Sequence, residues 1–141
     1  MKFTKGLLVI AITAFAFAGC KKDDDDKTPS QTKKEMLTSG SWYLKDFVVN
    51  DTSYYDVFFD DCDKDDFQTF KTNGMVTMDE GATKCDPTDP QTEDVLWMLS
   101  TDEKTITIDG DPAELTTINQ TDLVMTMKEG TDKIVLKMKK K

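Results

Sequence analysis

The sequence after Gly40 is a succession of short apolar segments separated by polar turns, and this pattern constrains the fold more than any other feature. β-Branched and aromatic residues concentrate in segments 41–50, 66–81, 93–110 and 113–139, which is typical of strands. Asn73-Gly74 predicts a tight hairpin turn. Because the connections are short, sequential strands should pair antiparallel. We predict an all-β fold, an eight-stranded antiparallel up-and-down barrel, since closure removes exposed strand edges.

A single short helix is predicted before the first strand. Residues 30–39 offer Ser30 or Thr32 as N-cap, Glu35 for a capping box and Gly40 as the stop. Residues 95–99 are apolar on both faces, and we expect Met36 and Leu37 of this helix to cover the outer face. Alternation in the last hairpin predicts two inward rows, formed by Leu123, Met125, Met127, Ile134, Leu136 and Met138.

Composition excludes several classes of function. The chain has 27 acidic against 18 basic residues and a net charge of −9, which excludes nucleic acid as a partner. Histidine, the commonest general base and transition-metal ligand, is absent. No pair of carboxylates is marked by a cleft, so we predict no catalytic residues, no enzyme activity and no cofactor.

The amino-terminal segment has the layout of an export signal. Lys2 and Lys5 precede an apolar segment over 6–17, which at about 1.5 Å per residue is too short for the roughly 30 Å hydrocarbon core of a bilayer. "FAGC" at 17–20 resembles the lipobox of bacterial lipoproteins. The resemblance implies cleavage before Cys20 and membrane attachment through lipid on Cys20. The predicted organisation is therefore a signal peptide (1–19), a lipidated, charged tether (20–34) and a barrel domain (35–141).

The charged run after Cys20 bears on location. "KKDDDDK" resembles the cluster that follows the lipidated cysteine in surface-exposed lipoproteins of some Gram-negative bacteria. This implies an outer-membrane lipoprotein exposed on the cell surface. The alternative is a solvated spacer on a periplasm-facing protein.

Two cysteines remain once Cys20 carries lipid. In an exported chain, Cys62 and Cys85 are expected to form a disulfide. Asp61, Asp63 and Asp65 alternate around Cys62 as at the start of a calcium loop, but the glycine and glutamate of an EF-hand are out of register. A disulfide-pinned acidic turn is favoured over a metal site.

Gly40-Ser41-Trp42, placed between a short helix and eight meandering strands, resembles the Gly-x-Trp motif of the lipocalin superfamily. More closely, "CDKDDFQTFKTNGMVTMDEGATKCDPTDP" resembles the central segment of lipocalin-like domain lipoproteins, with its Cys-x-x-Asp-Asp start, Phe-x-x-Asn-Gly hairpin and second cysteine. Lipocalins pack an arginine over the tryptophan. This chain has no arginine, so Lys137 or Lys139 is expected there.

An eight-stranded barrel is either filled by its own side chains or holds one small ligand. The expected liners for a small hydrophobic ligand are Trp42, Met75, Trp97, Met98, Ile108, Met125 and Met127. The alternative is that they simply fill the core, as in a protein-interaction module of an envelope assembly. A cluster in the loop after the first strand could form a lid, bind a partner or plug the mouth; it comprises Tyr54, Tyr55, Phe58 and Phe59.

Overall fold

A computed structural model describes residues 31–141. The predictions for the signal peptide, Cys20 and most of the tether lie outside these residues. The elements in chain order are α1 (Lys33–Leu37), β1 (Ser41–Val49), β2 (Thr52–Ser53), α2 (Tyr55–Phe58), β3 (Phe67–Phe70), β4 (Met75–Asp79), β5 (Thr92–Leu99), β6 (Thr105–Ile108), β7 (Asp111–Ile118), β8 (Asp122–Glu129) and β9 (Asp132–Lys140). No helix among the described residues is both long enough and apolar enough to cross a bilayer.

The strands form a closed, antiparallel up-and-down barrel, as the sequence predicts. Eight strands, β1 and β3 to β9, follow one another in chain order around the sheet, and β1 pairs with β9 to close it. The two-residue strand β2 pairs only with the end of β1. Asn73-Gly74 makes the turn between β3 and β4, where Gly74 adopts a φ of 84°. This left-handed conformation suits glycine because it has no Cβ.

The closure between β1 and β3 is incomplete. Only two residue pairs join these strands, Ser41 with Thr69 and Trp42 with Gln68. A β-bulge lies between Leu44 and Asp46 in the β1–β9 ladder, and bulges bend a strand and increase its twist. The remaining β1 edge faces the segment that contains α2, so this segment covers a gap in the barrel wall.

Helix α1 closes one end of the barrel. Its capping box is formed as predicted: the Glu35 amide donates to Thr32 Oγ1 (3.1 Å) and the Thr32 amide donates to Glu35 Oε2 (2.8 Å). Leu37 is fully buried, and its carbonyl accepts a 2.9 Å hydrogen bond from Trp42 Nε1. The helix therefore covers the end of the barrel and not the outer face of residues 95–99, where Leu96 stays 64% exposed.

The core fills the half of the barrel next to α1. It is formed by Leu37, Trp42, Phe70, Val76, Trp97, Ile106, Ala113, Leu115, Leu123, Met125 and Met138. The two inward rows of the last hairpin are confirmed, since Leu123 pairs with Met138, Met125 with Leu136 and Met127 with Ile134. Lys140, not Lys137 or Lys139, lies over the Trp42 ring, 5.5 Å from its centroid, because Lys137 pairs with Asp46 and Lys139 with Asp122.

Candidate functional site

The two tryptophans lie in the packed half of the barrel. Trp97 is 5% exposed, donates a 3.0 Å hydrogen bond to the Lys71 carbonyl and packs edge-on against Phe70. Trp42 is fully buried. Both indoles thus have their polar atom satisfied and their rings packed, which is the behaviour of core residues.

The other end of the barrel holds a cavity of about 580 Å³, which we call the mouth cavity. Of the residues predicted to line a ligand, Ile108, Met125 and Met127 lie in its wall. The other apolar liners are Met78, Pro112, Ala113 and Leu136. The polar liners are Gln68, Asp109, Asp111, Lys128 and Glu129. The volume and the apolar wall with a few polar groups are typical of small-molecule sites.

Two predicted liners lie on the outside of the barrel instead. Met98 is 64% exposed because it alternates with the buried Trp97. Met75 pairs with the exposed Leu96, whereas its neighbour Val76 is fully buried. Residues directly opposite in a ladder share a face, so Met75 also faces outward.

The sequence prediction missed Met78 and Gln68, which line both the mouth cavity and a second cavity. Met78 lies two residues after the buried Val76 and therefore on the same face. Choosing Val76 rather than Met75 as the inward residue would have found Met78. Gln68 carries no such signal, because a polar residue at an inward position looks like one on the outer face.

The second cavity, of about 180 Å³, lies beneath α2, and we call it the α2 cavity. Its apolar liners are Trp42, Leu44, Phe59, Phe67, Met78 and Met138. Its polar liners are Asp63, Asp66, Gln68, Asp79 and Glu80. Burial, together with the nearby carboxylates of Glu80, Asp63, Asp65 and Asp79, raises the pKa of Asp66 to about 6. The wall is therefore acidic, and Asp66 is the carboxylate in it that is partly desolvated.

The four aromatic residues of the loop divide between the inside and the outside. Phe59 lines the α2 cavity, and the Tyr55 hydroxyl donates a 3.0 Å hydrogen bond to the Leu44 carbonyl. Tyr54 and Phe58 are exposed, by 36% and 63%. Phe47 of β1 contacts both Phe58 and Phe59, with ring centroids 5.7 Å apart in each pair. The segment thus covers the gap beside β1 and also presents an aromatic surface to solvent.

The acidic turn around Cys62 is held by hydrogen bonds and by a disulfide. Cys62 is bonded to Cys85, with Sγ atoms 1.98 Å apart and Cα atoms 5.2 Å apart. Asp65 Oδ2 accepts from the amides of Ala82 (2.7 Å) and Thr83 (3.1 Å). Both sulfur atoms are therefore unable to serve as thiolate ligands.

The three alternating aspartates of this turn point to different partners. Asp61 lies 3.4 Å from Lys64 Nζ, and Asp63 Oδ2 accepts from the Asp60 amide at 2.7 Å. In residues 31–141 the one group of potential metal ligands is Cys62, Asp63 and Cys85. Because the disulfide removes both cysteines from that group, the geometry gives Asp61, Asp63 and Asp65 no shared metal position.

Comparison with known families agrees with this architecture. The model of the lipocalin-like domain family matches residues 38–127. The chain belongs to the lipocalin-like domain family. Among solved structures, it is similar to the crystal structure of a DUF4847 family protein from Bacteroides vulgatus ATCC 8482, with a TM-score of 0.53 and 15% identity over 74% of this chain and 96% of the other. This similarity concerns the fold. No curated protein sequence matches the chain.

The family match begins at Thr38, directly after α1, and ends at Met127 in β8. It includes the buried Trp42, the disulfide loop and most liners of both cavities.

Proposed function

We propose that the protein is a non-enzymatic, lipid-anchored lipoprotein of the cell envelope whose barrel holds a small apolar ligand. The observation that carries the proposal is the mouth cavity of about 580 Å³, whose inner wall is formed by Met78, Ile108, Met125 and Met127. Methionine side chains adapt to irregular guests. The lipocalin-like fold supports the same role, since barrels of this size can hold one small ligand.

A cavity-filling substitution tests the ligand site. Ala113 is 6% exposed and lies in the wall of the mouth cavity, so Ala113→Phe should project a ring into that space. Thr117→Phe, on the exposed face of the same strand, is the matched control. We expect the neutral fluorescent probe N-phenyl-1-naphthylamine to bind the wild type and the control, and to bind Ala113→Phe at least tenfold more weakly. Equal binding to all three proteins would contradict the proposal.

The anchoring proposal depends on the "FAGC" sequence and is tested separately. Cells grown with an alkyne-bearing fatty acid should label the wild-type protein, and Cys20→Ala should abolish the label. Surface display is tested by treating intact cells with protease. Cells with the wild-type protein are compared with cells in which the four aspartates of 23–26 are replaced by serine. Protection of the wild type would favour the periplasm-facing alternative.

A second candidate function, a protein-interaction module, is favoured by the exposed side chains of α2. Val57 is 71% exposed and Phe58 63% exposed, and exposed apolar clusters commonly mark interaction sites. A photo-crosslinking amino acid at position 57 should then capture one defined envelope protein in whole cells, whereas the same group at exposed position 114 should not. Crosslinks that are equal at both positions would argue against this function.

A further inference from the structure

The connections between strands divide into two groups, one at each end of the barrel. In an antiparallel up-and-down barrel, successive connections alternate between the two ends. The connections at the end that α1 closes, which we call the α1 end, are 71–74, 100–104 and 119–121. The connections at the opposite end, which we call the mouth end because it holds the mouth cavity, are 50–66, 80–91, 109–110 and 130–131.

The connections at the mouth end are strongly acidic. Their lysines are Lys64 and Lys84. Lys64 already pairs with carboxylates, its Nζ lying 3.0 Å from Asp56 and 3.4 Å from Asp61. The mouth end therefore presents a negative field to whatever approaches it. The acidic residues of these connections are Asp51, Asp56, Asp60, Asp61, Asp63, Asp65, Asp66, Glu80, Asp86, Asp89 and Asp109.

Lysines prevail at the α1 end. Two of them, Lys71 and Lys139, form salt bridges with Asp94 and Asp122. The others take part in no salt bridge within residues 31–141, so they can attract an external anionic surface. The charged residues of 31–40, of the three connections at this end and of the last residues after Met138 are Lys33, Lys34, Lys71, Lys104, Lys139, Lys140 and Lys141 against Glu35, Asp102 and Glu103.

Exposed apolar side chains lie beside these lysines. Met98 is 64% exposed, and it lines a groove between α1 and the β3–β4 turn together with Lys34. Leu96, also 64% exposed, lies two residues from Met98 and on the same face of β5. The apolar side chains that α2 exposes lie instead among the carboxylates of the mouth end. Basic and apolar side chains on one surface are typical of proteins that lie on a membrane interface.

The chain enters the barrel at the α1 end. Gln31 is hydrogen-bonded to Gln120 in the β7–β8 connection, and α1 begins at Lys33. Even a fully extended chain spans at most about 40 Å between residues 20 and 31. A lipid on Cys20 would therefore hold the α1 end within that distance of the bilayer. Because such a tether keeps the local concentration high, a weak attraction is enough to orient the barrel.

We propose that the α1 end docks on an anionic lipid bilayer, so that the mouth cavity opens away from the membrane and exchanges its ligand with the aqueous side. The inference rests on the lipid anchoring in the proposed function and goes beyond it, since it assigns the surface that meets the membrane. Anionic head groups attract the lysines of the α1 end. The same lipids repel the acidic mouth end.

The orientation is tested on the full chain, purified from cell membranes in detergent and reconstituted into vesicles. A fluorescent amino acid replaces Thr101 in one protein and Thr131 in another, which are exposed threonines in hairpin turns at the α1 end and the mouth end. The vesicles contain phosphatidylcholine and phosphatidylglycerol, and some head groups carry a nitroxide that quenches nearby fluorophores. We expect quenching at position 101 to exceed quenching at position 131 by about threefold.

Salt and lysine substitutions separate electrostatic docking from the effect of the tether alone. In about 0.5 M salt, where the screening length is about 4 Å, the ratio of quenching at the two positions should fall by about half. The ratio should be equally low on vesicles of phosphatidylcholine alone. Two triple substitutions to glutamine remove the same charge from opposite ends: Lys34, Lys104 and Lys141 at the α1 end, and Lys84, Lys128 and Lys133 at the mouth end.

The α1-end variant should lower the quenching ratio on anionic vesicles by about half, as salt does, and the mouth-end variant should leave it unchanged or raise it. Thermal melts check that both variants are folded. Equal quenching at both positions on anionic vesicles would overturn the docking, and so would a ratio that survives both salt and the α1-end variant. In either case the lipid anchor stands. If the protein does not float with either kind of vesicle, the lipid anchoring fails and the inference fails with it.

Discussion

The hydrogen bond between Trp42 and α1 should make a large contribution to the stability of the barrel. Trp42 Nε1 donates to the Leu37 carbonyl at 2.9 Å, and both residues are fully buried. This indole is the partner that the structure gives to the Leu37 carbonyl. Trp42→Phe removes the donor and part of the ring while keeping an aromatic side chain in the core.

The expected loss combines two effects. Leaving a buried carbonyl without its donor costs about 1–3 kcal/mol, and removing part of a buried aromatic ring costs about 1–2 kcal/mol of packing. We therefore expect the free energy of unfolding to fall by about 3 kcal/mol. For a domain of this size each kcal/mol corresponds to about 4 °C, so the melting temperature should fall by about 12 °C.

Urea unfolding followed by far-UV circular dichroism measures this loss. Fluorescence is less suitable, because Trp42→Phe removes one of the two tryptophans and so changes the signal itself. The matched control is Leu96→Ala, which truncates an apolar side chain that is 64% exposed and should cost less than about 0.5 kcal/mol. A loss below about 1 kcal/mol for Trp42→Phe, with unchanged m-value, would refute the assignment of α1 as a plug held by this bond.

Three further predictions concern the loops around the α2 cavity. The pKa of Asp66 is about 6 in the folded chain and 3.8 when unfolded, so the free energy of unfolding should fall as pH rises from about 4 to about 6. Solvent screening limits this fall to about 1 kcal/mol. Urea unfolding of Asp66→Asn should not show the fall. Replacing Cys62 and Cys85 together by serine should lower the free energy of unfolding by about 3 kcal/mol in the chain-entropy model, because the disulfide closes a loop across a separation of 23 residues. Equal melting temperatures for the wild type and the double variant without reductant would contradict this. Gly81→Ala should be more destabilising than Gly130→Ala in thermal melts, since both have positive φ but only at Gly81 would a Cβ lie 2.5 Å from a backbone oxygen.

The strand pattern, the hairpin turns and the helix cap could be predicted because each depends on residues close together in sequence. Thr32 and Glu35 form their capping box within one helical turn, and the turn at Asn73-Gly74 is closed locally by a 3.2 Å hydrogen bond from the Gly74 amide to the Lys71 carbonyl. The choice of face failed where alternation is ambiguous. Both Met75 and Val76 are apolar, and only the register with β5 places Val76 inside and Met75 outside.

The cavity predictions failed in part for a related reason. Leu96 and Met98 are apolar residues on an exposed face, so hydrophobicity alone assigned Met98 to the interior. The mouth cavity, by contrast, was found at Ile108, Met125 and Met127, because those side chains belong to strands with an unambiguous polar face. Alternation thus predicts the inward face of a strand where the opposite face is clearly polar.

The α2 cavity could not be predicted, because distant segments assemble it. Helix α2 spans four residues and has no side-chain N-cap, so local sequence does not specify it; contacts of Phe47 with Phe58 and Phe59 hold it over the β1–β3 gap. The acidic wall then depends on the disulfide and on Asp65, which join the segment before β3 to the segment after β4. Its charge and its shape arise together from the way in which one incomplete strand pairing is covered. A run of aspartates that looks merely solvated in sequence therefore contributes Asp63 and Asp66 to the wall of a cavity in the fold.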